Sequence, residues 1–231
     1  MSLRVFVTGG GRGIGRAIAL RFAKEGARVV VAARTSDELD RVVGEIDAAG
    51  GKGCAAQLNM RDHGSVEAAV FRAVAFLEGA IDVLVNNAGV FGVTPFEELE
   101  LGEFERFLDV NLVGPCLVTM EALPALKESE RAHVFNVSST AGKRGYPGGT
   151  AYCASKYGLR GFGDALREDL KDVGIRVSTI YPSATDTKLF DGVPGDWDRS
   201  TMNEPEDVAE VVWRGYQAES GYEDLDVPPP T

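Results

Sequence analysis

Short runs rich in valine and other apolar residues recur along the chain, and between them the apolar positions fall at spacings of three and four. The runs Arg4–Val7, Arg28–Ala33, Gly53–Leu58, Asp82–Asn87, His133–Ser138 and Arg176–Tyr181 read as strands. Most are apolar at both alternations, the pattern of strands covered on both faces in a parallel sheet. Ile14, Ala17, Ile18, Phe22 and Ala23 make one helical stripe; Val66, Ala69, Val70, Ala73, Val74 and Leu77 make another. Strand and helix in alternation predict a doubly wound, mostly parallel α/β sheet, with right-handed crossovers putting helices on both faces. No linker and no short-period repeat interrupts it, so residues 1–231 read as a single domain. Leu225–Val227 reads as a last strand, which Pro228 to Pro230 would end, since proline cannot pair within a sheet.

Composition narrows the function without naming it. The 231 residues are 44% hydrophobic and 26% charged, ordinary for a soluble globular domain and enough to bury a core without disulfides. The formal net charge of −11 argues against a nucleic-acid partner. Cys54, Cys116 and Cys153 are scattered, which favours free thiols in a reducing compartment. His63 and His133 stand apart from one another and from the cysteines, so no metal site is expected. The start of the chain lacks a signal-peptide pattern, and no stretch approaches the roughly 20 apolar residues of a membrane span. A cytoplasmic protein with no membrane partner is the expectation.

The first strand runs into the glycine loop "VTGGGRGIG", with Gly9, Gly13 and Gly15 at G-x-x-x-G-x-G spacing. Glycine lets the backbone turn tightly and approach a ligand, and the helix starting near Gly13 aims unpaired N–H groups at the loop mouth. A pyrophosphate suits that place. A glycine motif alone is weak, but this one follows a strand and opens a helix, the context it requires. The second strand ends near the expected position of the adenosine ribose. NAD-selecting folds carry a carboxylate there; this chain has Ala33 and then Arg34, with Arg12 inside the glycine loop. Two guanidinium groups flanking one pocket favour a 2′-phosphate, hence NADP(H).

The glycine spacing, "NNAG" (Asn86–Gly89) and Tyr152-x-x-x-Lys156 in "TAYCASKYG" together resemble the short-chain dehydrogenase/reductase family, from about Arg4 to Thr187. The resemblance implies a Rossmann-type sheet and four catalytic residues: Asn111 in "DVNLVG", Ser139 (in preference to Ser138) in "NVSSTAG", Tyr152 and Lys156. It implies dinucleotide contacts from Gly9, Arg12, Gly13, Ile14 and Gly15 in the loop, and from Arg34, Asn59 and Met60 along the adenosine. Asn87, Ala88 and Gly89 would line the middle, and Tyr152, Lys156, Pro182 and Thr187 the nicotinamide end. Asn59 replaces the family's aspartate, and its amide oxygen can still accept a bond from the adenine. Ser183 replaces a glycine in "YPSATDT". The ending "GYEDLDVPPPT" departs from the acyl-carrier-protein reductases and their tetramers. The family's pairing surface, around Phe96–Leu126 and Tyr152–Leu170, implies a homodimer or a homotetramer.

Tyr152 and Lys156 are one helical turn apart on one face. Free tyrosine titrates near 10, and a close cation is expected to lower that by roughly 1–3 units, toward the range where an acid–base catalyst works. A half-buried helix tyrosine would carry the same letter; its company of Ser139, Asn111, Lys156 and the glycine loop sets it apart. The reading is an NADP(H)-dependent carbonyl/alcohol oxidoreductase, and the family resemblance implies that Asn111 holds a water linking Lys156 to solvent. The alternatives are a non-catalytic NADP(H)-sensing binding protein and a nicotinamide-dependent isomerase or epimerase. The intact set Ser139, Tyr152 and Lys156 weighs against the first, and the lack of room for an added substrate domain against the second. The substrate would be a small or medium apolar carbonyl compound. A loop at about 186–203, with Phe190 and Trp197, would form its lid, and Lys188–Met202 would line its site.

Overall fold

The computed structural model describes residues 2–230. Seven parallel strands form one sheet in the order β3-β2-β1-β4-β5-β6-β7. They are β1 (Arg4–Thr8), β2 (Arg28–Ala33), β3 (Lys52–Gln57), β4 (Val83–Asn86), β5 (His133–Val137), β6 (Arg176–Pro182) and β7 (Asp224–Val227). Between them lie α1 (Gly13–Ala23), α2 (Ser36–Ala48), α3 (His63–Phe76), α4 (Leu101–Leu108), α5 (Gly114–Lys127), α6 (Thr150–Leu170) and α7 (Pro205–Gln217). All seven strands fall where the apolar runs put them, within a residue or so at each end. β4 stops at Asn86 because the next residue turns away: the Asn87 backbone N–H donates to Thr8 Oγ1 at 3.0 Å.

The double-sided apolar pattern of the strands becomes two cores. Val5, Val7, Val29, Val31 and Val85 face α1, α2 and α7. Phe6, Val30, Leu84, Val134 and Val177 face α3 and α5, joined by Leu170 of α6. Strand parity alone assigns each residue to its core. The predicted stripes on α1 and α3 are the faces these helices bury. One feature differs from the sequence expectation. A continuous helical stretch of 27 residues, Leu101–Lys127, is long and apolar enough by length and composition to cross a membrane. Here it is a core helix, with Val118, Ala122 and Leu126 wholly buried against the sheet.

His133 begins β5 fully buried, stacked on Phe135 with ring centroids 3.9 Å apart. Ser178 donates its hydroxyl proton to the Tyr222 carbonyl, so His133 Nε2 carries the proton that bridges 2.6 Å to Ser178 Oγ. Nδ1 then has no partner. Burial, reinforced by the Arg176 charge, holds the imidazole pKa well below its ordinary 6.5. Between the folded pKa and 6.5 the unfolded chain binds more protons than the folded one, so stability falls as pH drops through that window. Thermal melts at pH 5 and pH 8 should therefore differ more for wild type than for His133→Gln; equal differences would remove His133 as the cause.

Candidate active site

The chain visits β1, β2 and β3 in one direction and returns to β4 beside β1. That reversal opens a crevice at the carboxyl ends of the strands, where open α/β sheets bind ligands. A cleft of about 480 Å³ occupies it. Every residue expected to contact a dinucleotide lines this cleft except Gly15, which shapes its floor. Gly9 and Gly13 adopt left-handed backbone, at φ 65° and 54°. A Cβ on Gly15 would come within 2.4 Å of the Gly9 carbonyl oxygen and of Asn87 Nδ2. No side chain caps α1, so its first N–H groups face the loop mouth. An uncapped helix start behind a cradle that side chains would fill suits a diphosphate.

Around the adenosine end the side chains are partly committed. Arg34 is exposed at the rim and forms no ion pair among the described residues, whereas Arg12 Nη1 lies 3.3 Å from Glu38 Oε1. Asn59 Oδ1 accepts the Arg61 backbone N–H at 3.2 Å, which leaves its second lone pair for a ligand. Met60 is buried and packs against Gly114. Asn87 spends its amide on the β1 backbone, donating to the Thr8 carbonyl at 2.9 Å and the Gly9 carbonyl at 3.2 Å. Its part in the cleft is to hold the glycine loop.

The other end of the cleft gathers Ser139, Tyr152 and Lys156, while Asn111 is buried just behind them. Ser139 leaves the end of β5, and its Oγ accepts the Ala141 N–H at 3.1 Å, while its hydroxyl acts on the Tyr152 phenol to favour the ionised form. Ser138 points elsewhere: its hydroxyl donates to the Lys156 carbonyl at 3.1 Å. Tyr152 and Lys156 share the buried face of α6, and Lys156 Nζ donates to the Val137 carbonyl at 2.9 Å. Cys153, next in sequence, turns off that face and is buried. Asn111 sits in a wide i→i+5 turn, Asp109–Val113, between α4 and α5. Its amide donates to the Val90 carbonyl and Ser155 Oγ and accepts the Val90 N–H, all within 3.0 Å. Gly89 passes between Asn111 and Lys156; a Cβ there would lie 3.2 Å from Asn111 Oδ1.

One expectation about this group is corrected. The Tyr152 pKa is not lowered: burial pushes it up to about 12, partly offset by the Ser139 hydrogen bond. Lys156 does not reverse that rise, and burial brings its own pKa down to about 8. Its ammonium sits 5.8 Å from the Tyr152 ring centre while bonded to Val137. Loss of water outweighs the neighbouring charge. Asn111 spends both side-chain protons on Val90 and Ser155.

The segment after β6 closes the cleft. Pro182 and Thr187 line it. Ser183 needs no left-handed backbone, and its hydroxyl accepts from Asn203 Nδ2 at 2.9 Å. Arg199 binds Asp186 at 2.6 Å and Asp191 at 2.7 Å, folding the loop back on itself. Of Lys188–Met202, only Lys188, Leu189, Phe190 and Trp197 reach the cleft; Met202 is buried beneath it. Phe190 lies tilted against Phe91, Trp197 meets Phe91 edge to face, and Phe91 meets Tyr152 edge to face at 4.9 Å. Sequence reasoning missed Phe91 and Tyr146 in this wall. Phe91 stands two places past "NNAG", and Tyr146 is the aromatic residue inside "RGYPGG". The last strand braces the whole end: Ser183 N–H bonds the Val227 carbonyl, and Lys143, beside the Ser139 turn, pairs with Asp226 at 2.6 Å.

Sheet order, glycine cradle and crevice together define a doubly wound α/β protein of the dinucleotide-binding class. A family model described as short chain dehydrogenase matches residues 4–196. A 3beta-hydroxysteroid dehydrogenase of Mediterraneibacter gnavus is 36% identical over 91% of this chain and 74% of its own. An NADP-dependent 3-hydroxy acid dehydrogenase, YdfG, of Salmonella typhi is 34% identical over 90% and 87%. The alcohol dehydrogenase of the archaeon Thermococcus sibiricus, solved with 5-hydroxy-NADP, superposes with a TM-score of 0.90. It is 26% identical, over 98% of this chain and 96% of that one. The chain belongs to the short-chain dehydrogenase/reductase family of oxidoreductases.

Proposed function

We propose that this protein is an NADP(H)-dependent oxidoreductase that interconverts a ketone or aldehyde with its alcohol, using Tyr152 as general acid and base. The observation that carries this reading is the gathering of Ser139, Tyr152 and Lys156 beside an aromatic wall at one end of a glycine-cradled cleft. The bound coenzyme supplies or accepts the hydride. Ser139 donates a hydrogen bond to the substrate oxygen and aligns it. Tyr152 gives that oxygen its proton as charge builds there, and takes the proton back in the reverse direction. Lys156 holds positive charge behind the phenol and reaches the ribose side of the cleft. Asn111 positions Val90 and the chain leading to Phe91. Phe91, Phe190 and Trp197 exclude water from the reacting carbon. NADPH oxidation followed by absorbance, across ketones, diketones and aldehydes with NADH alongside, tests the reading; no turnover of any carbonyl compound would overturn it.

The preference for NADP(H) rests on Arg34 and Arg12. A 2′-phosphate between them gains charge-assisted bonds and draws Arg12 from Glu38. Arg34→Asp is therefore expected to lower the NADPH/NADH ratio of kcat/KM by roughly 10–100-fold. NADPH affinity, read by fluorescence titration, should weaken in step. An unchanged ratio would refute the phosphate contact. The assembly we propose is a homodimer, since α5 and α6 leave Met120 and Tyr157 exposed at 63% and 44% on the surface such a pairing covers. The three free cysteines fit a cytoplasmic setting.

A further inference from the structure

Glu38 is the one carboxylate lining the cleft among the described residues, and it lies at the adenosine end. Its local sequence points to a different task. Thr35-x-x-Glu38 has the spacing of a capping box, whose glutamate accepts the backbone N–H at the start of its own helix. At α7 such a bond forms: the Asp207 carboxylate accepts the Glu204 backbone N–H at 2.9 Å. At α2 the Thr35 hydroxyl makes no cap bond. The Glu38 carboxylate turns instead to the glycine loop. Its Oε1 lies 3.3 Å from Arg12 Nη1. A Cβ on Gly11 would lie 3.2 Å from Glu38 Cβ and 3.5 Å from its Oε2, so the side chain rests on the loop itself. Both partners remain open to solvent, with 24% of the Glu38 side chain and 49% of the Arg12 side chain exposed. A ligand that reaches the loop meets them both.

On the NADP(H) reading, on which this inference rests, Arg12 and Arg34 attract a 2′-phosphate. A carboxylate at the same place repels that phosphate, and a bond that Arg12 makes to Glu38 is one it does not make to the ligand. A nucleotide ending in a 2′-hydroxyl meets no such opposition, because Arg12 keeps its partner. We propose that Glu38 is a specificity-determining residue that restrains the preference for NADP(H) over NAD(H). The coenzyme selectivity of the chain is then smaller than Arg12 and Arg34 alone would give.

Isothermal titration calorimetry with NADP+ and NAD+, which differ by the 2′-phosphate, tests this without any turnover. Glu38→Gln should bind NADP+ roughly 5–20-fold more tightly than wild type, and NAD+ within about twofold of it. Asp37→Asn is the control, since it removes the same charge from the same helical turn at an exposed position outside the cleft. It should move the ratio of the two affinities by less than about twofold. Arg34→Asp should lower that ratio. If it does, a ratio unchanged or lowered in Glu38→Gln, or raised equally in Asp37→Asn, would overturn the role of Glu38. A ratio that neither Glu38→Gln nor Arg34→Asp moves would overturn the 2′-phosphate reading itself, and this inference with it.

Discussion

Tyr152→Phe is expected to lower kcat by roughly 10²–10⁴, about 3–5 kcal/mol of barrier, with NADPH affinity nearly unchanged. The ring keeps its place, because Phe91 and Phe107 hold it through edge contacts that phenylalanine reproduces. Only the proton donor goes. Ser139 would remain to bind the substrate oxygen, and its hydrogen bond cannot replace a transferred proton. Stopped-flow or steady-state NADPH oxidation reads the loss, and coenzyme fluorescence reads the retained affinity. Near-normal turnover would take Tyr152 out of the mechanism.

Lys156→Met should do two opposite things. Turnover should fall by about 10²-fold or more, because no cation then stands behind the phenol as proton transfer proceeds. Stability at pH 7 should rise. Burial brings the ammonium from 10.5 to about 8, a cost on the order of 3 kcal/mol in the folded state at neutral pH. Methionine relieves that cost but leaves the Val137 carbonyl without its 2.9 Å donor. The net gain should be a melting temperature higher by about 2–6 °C. The sign follows from proton counting: between pH 8 and 10.5 the unfolded chain holds the lysine proton and the folded one has lost it. Wild-type stability therefore climbs with pH across that window, and the variant's advantage shrinks. A variant less stable than wild type at pH 7, by a margin that stays the same up to pH 10, would show that Lys156 is not a buried charge held for function.

The sequence carried the frame of the molecule and the identity of its central residues, for different reasons. Strands such as Val29–Ala32 were legible because they are covered on both faces, and a short run that is apolar at every position fits little besides a sheet interior. Gly9 and Gly15, and the pair Tyr152 and Lys156, were legible through spacing, which local geometry converts directly into proximity, whereas Ser139 was picked out by the family resemblance. What spacing cannot carry is the surroundings. The expected drop in the Tyr152 pKa followed from a cation one turn away; the rise comes from burial, and the rings packed on Tyr152, Phe91 and Phe107, arrive from other elements. Phe91 and Tyr146 sit in irregular segments with no periodicity to mark their direction. The apolar character of Leu101–Lys127 is diluted in the letters by Glu103, Glu105, Arg106 and Asp109, so its continuity emerged only once α4, the wide turn and α5 were seen end to end.

The brace supplied by β7 makes that strand a support of the cleft. Asp226 anchors the turn that carries the serine, and Val227 supports the segment that carries the aromatic gate. Trimming the chain back by a handful of residues, or fusing a bulky tag directly after Val227, would therefore be read out as lost catalysis and not as a harmless edit. An expression design for this enzyme should append its handle elsewhere.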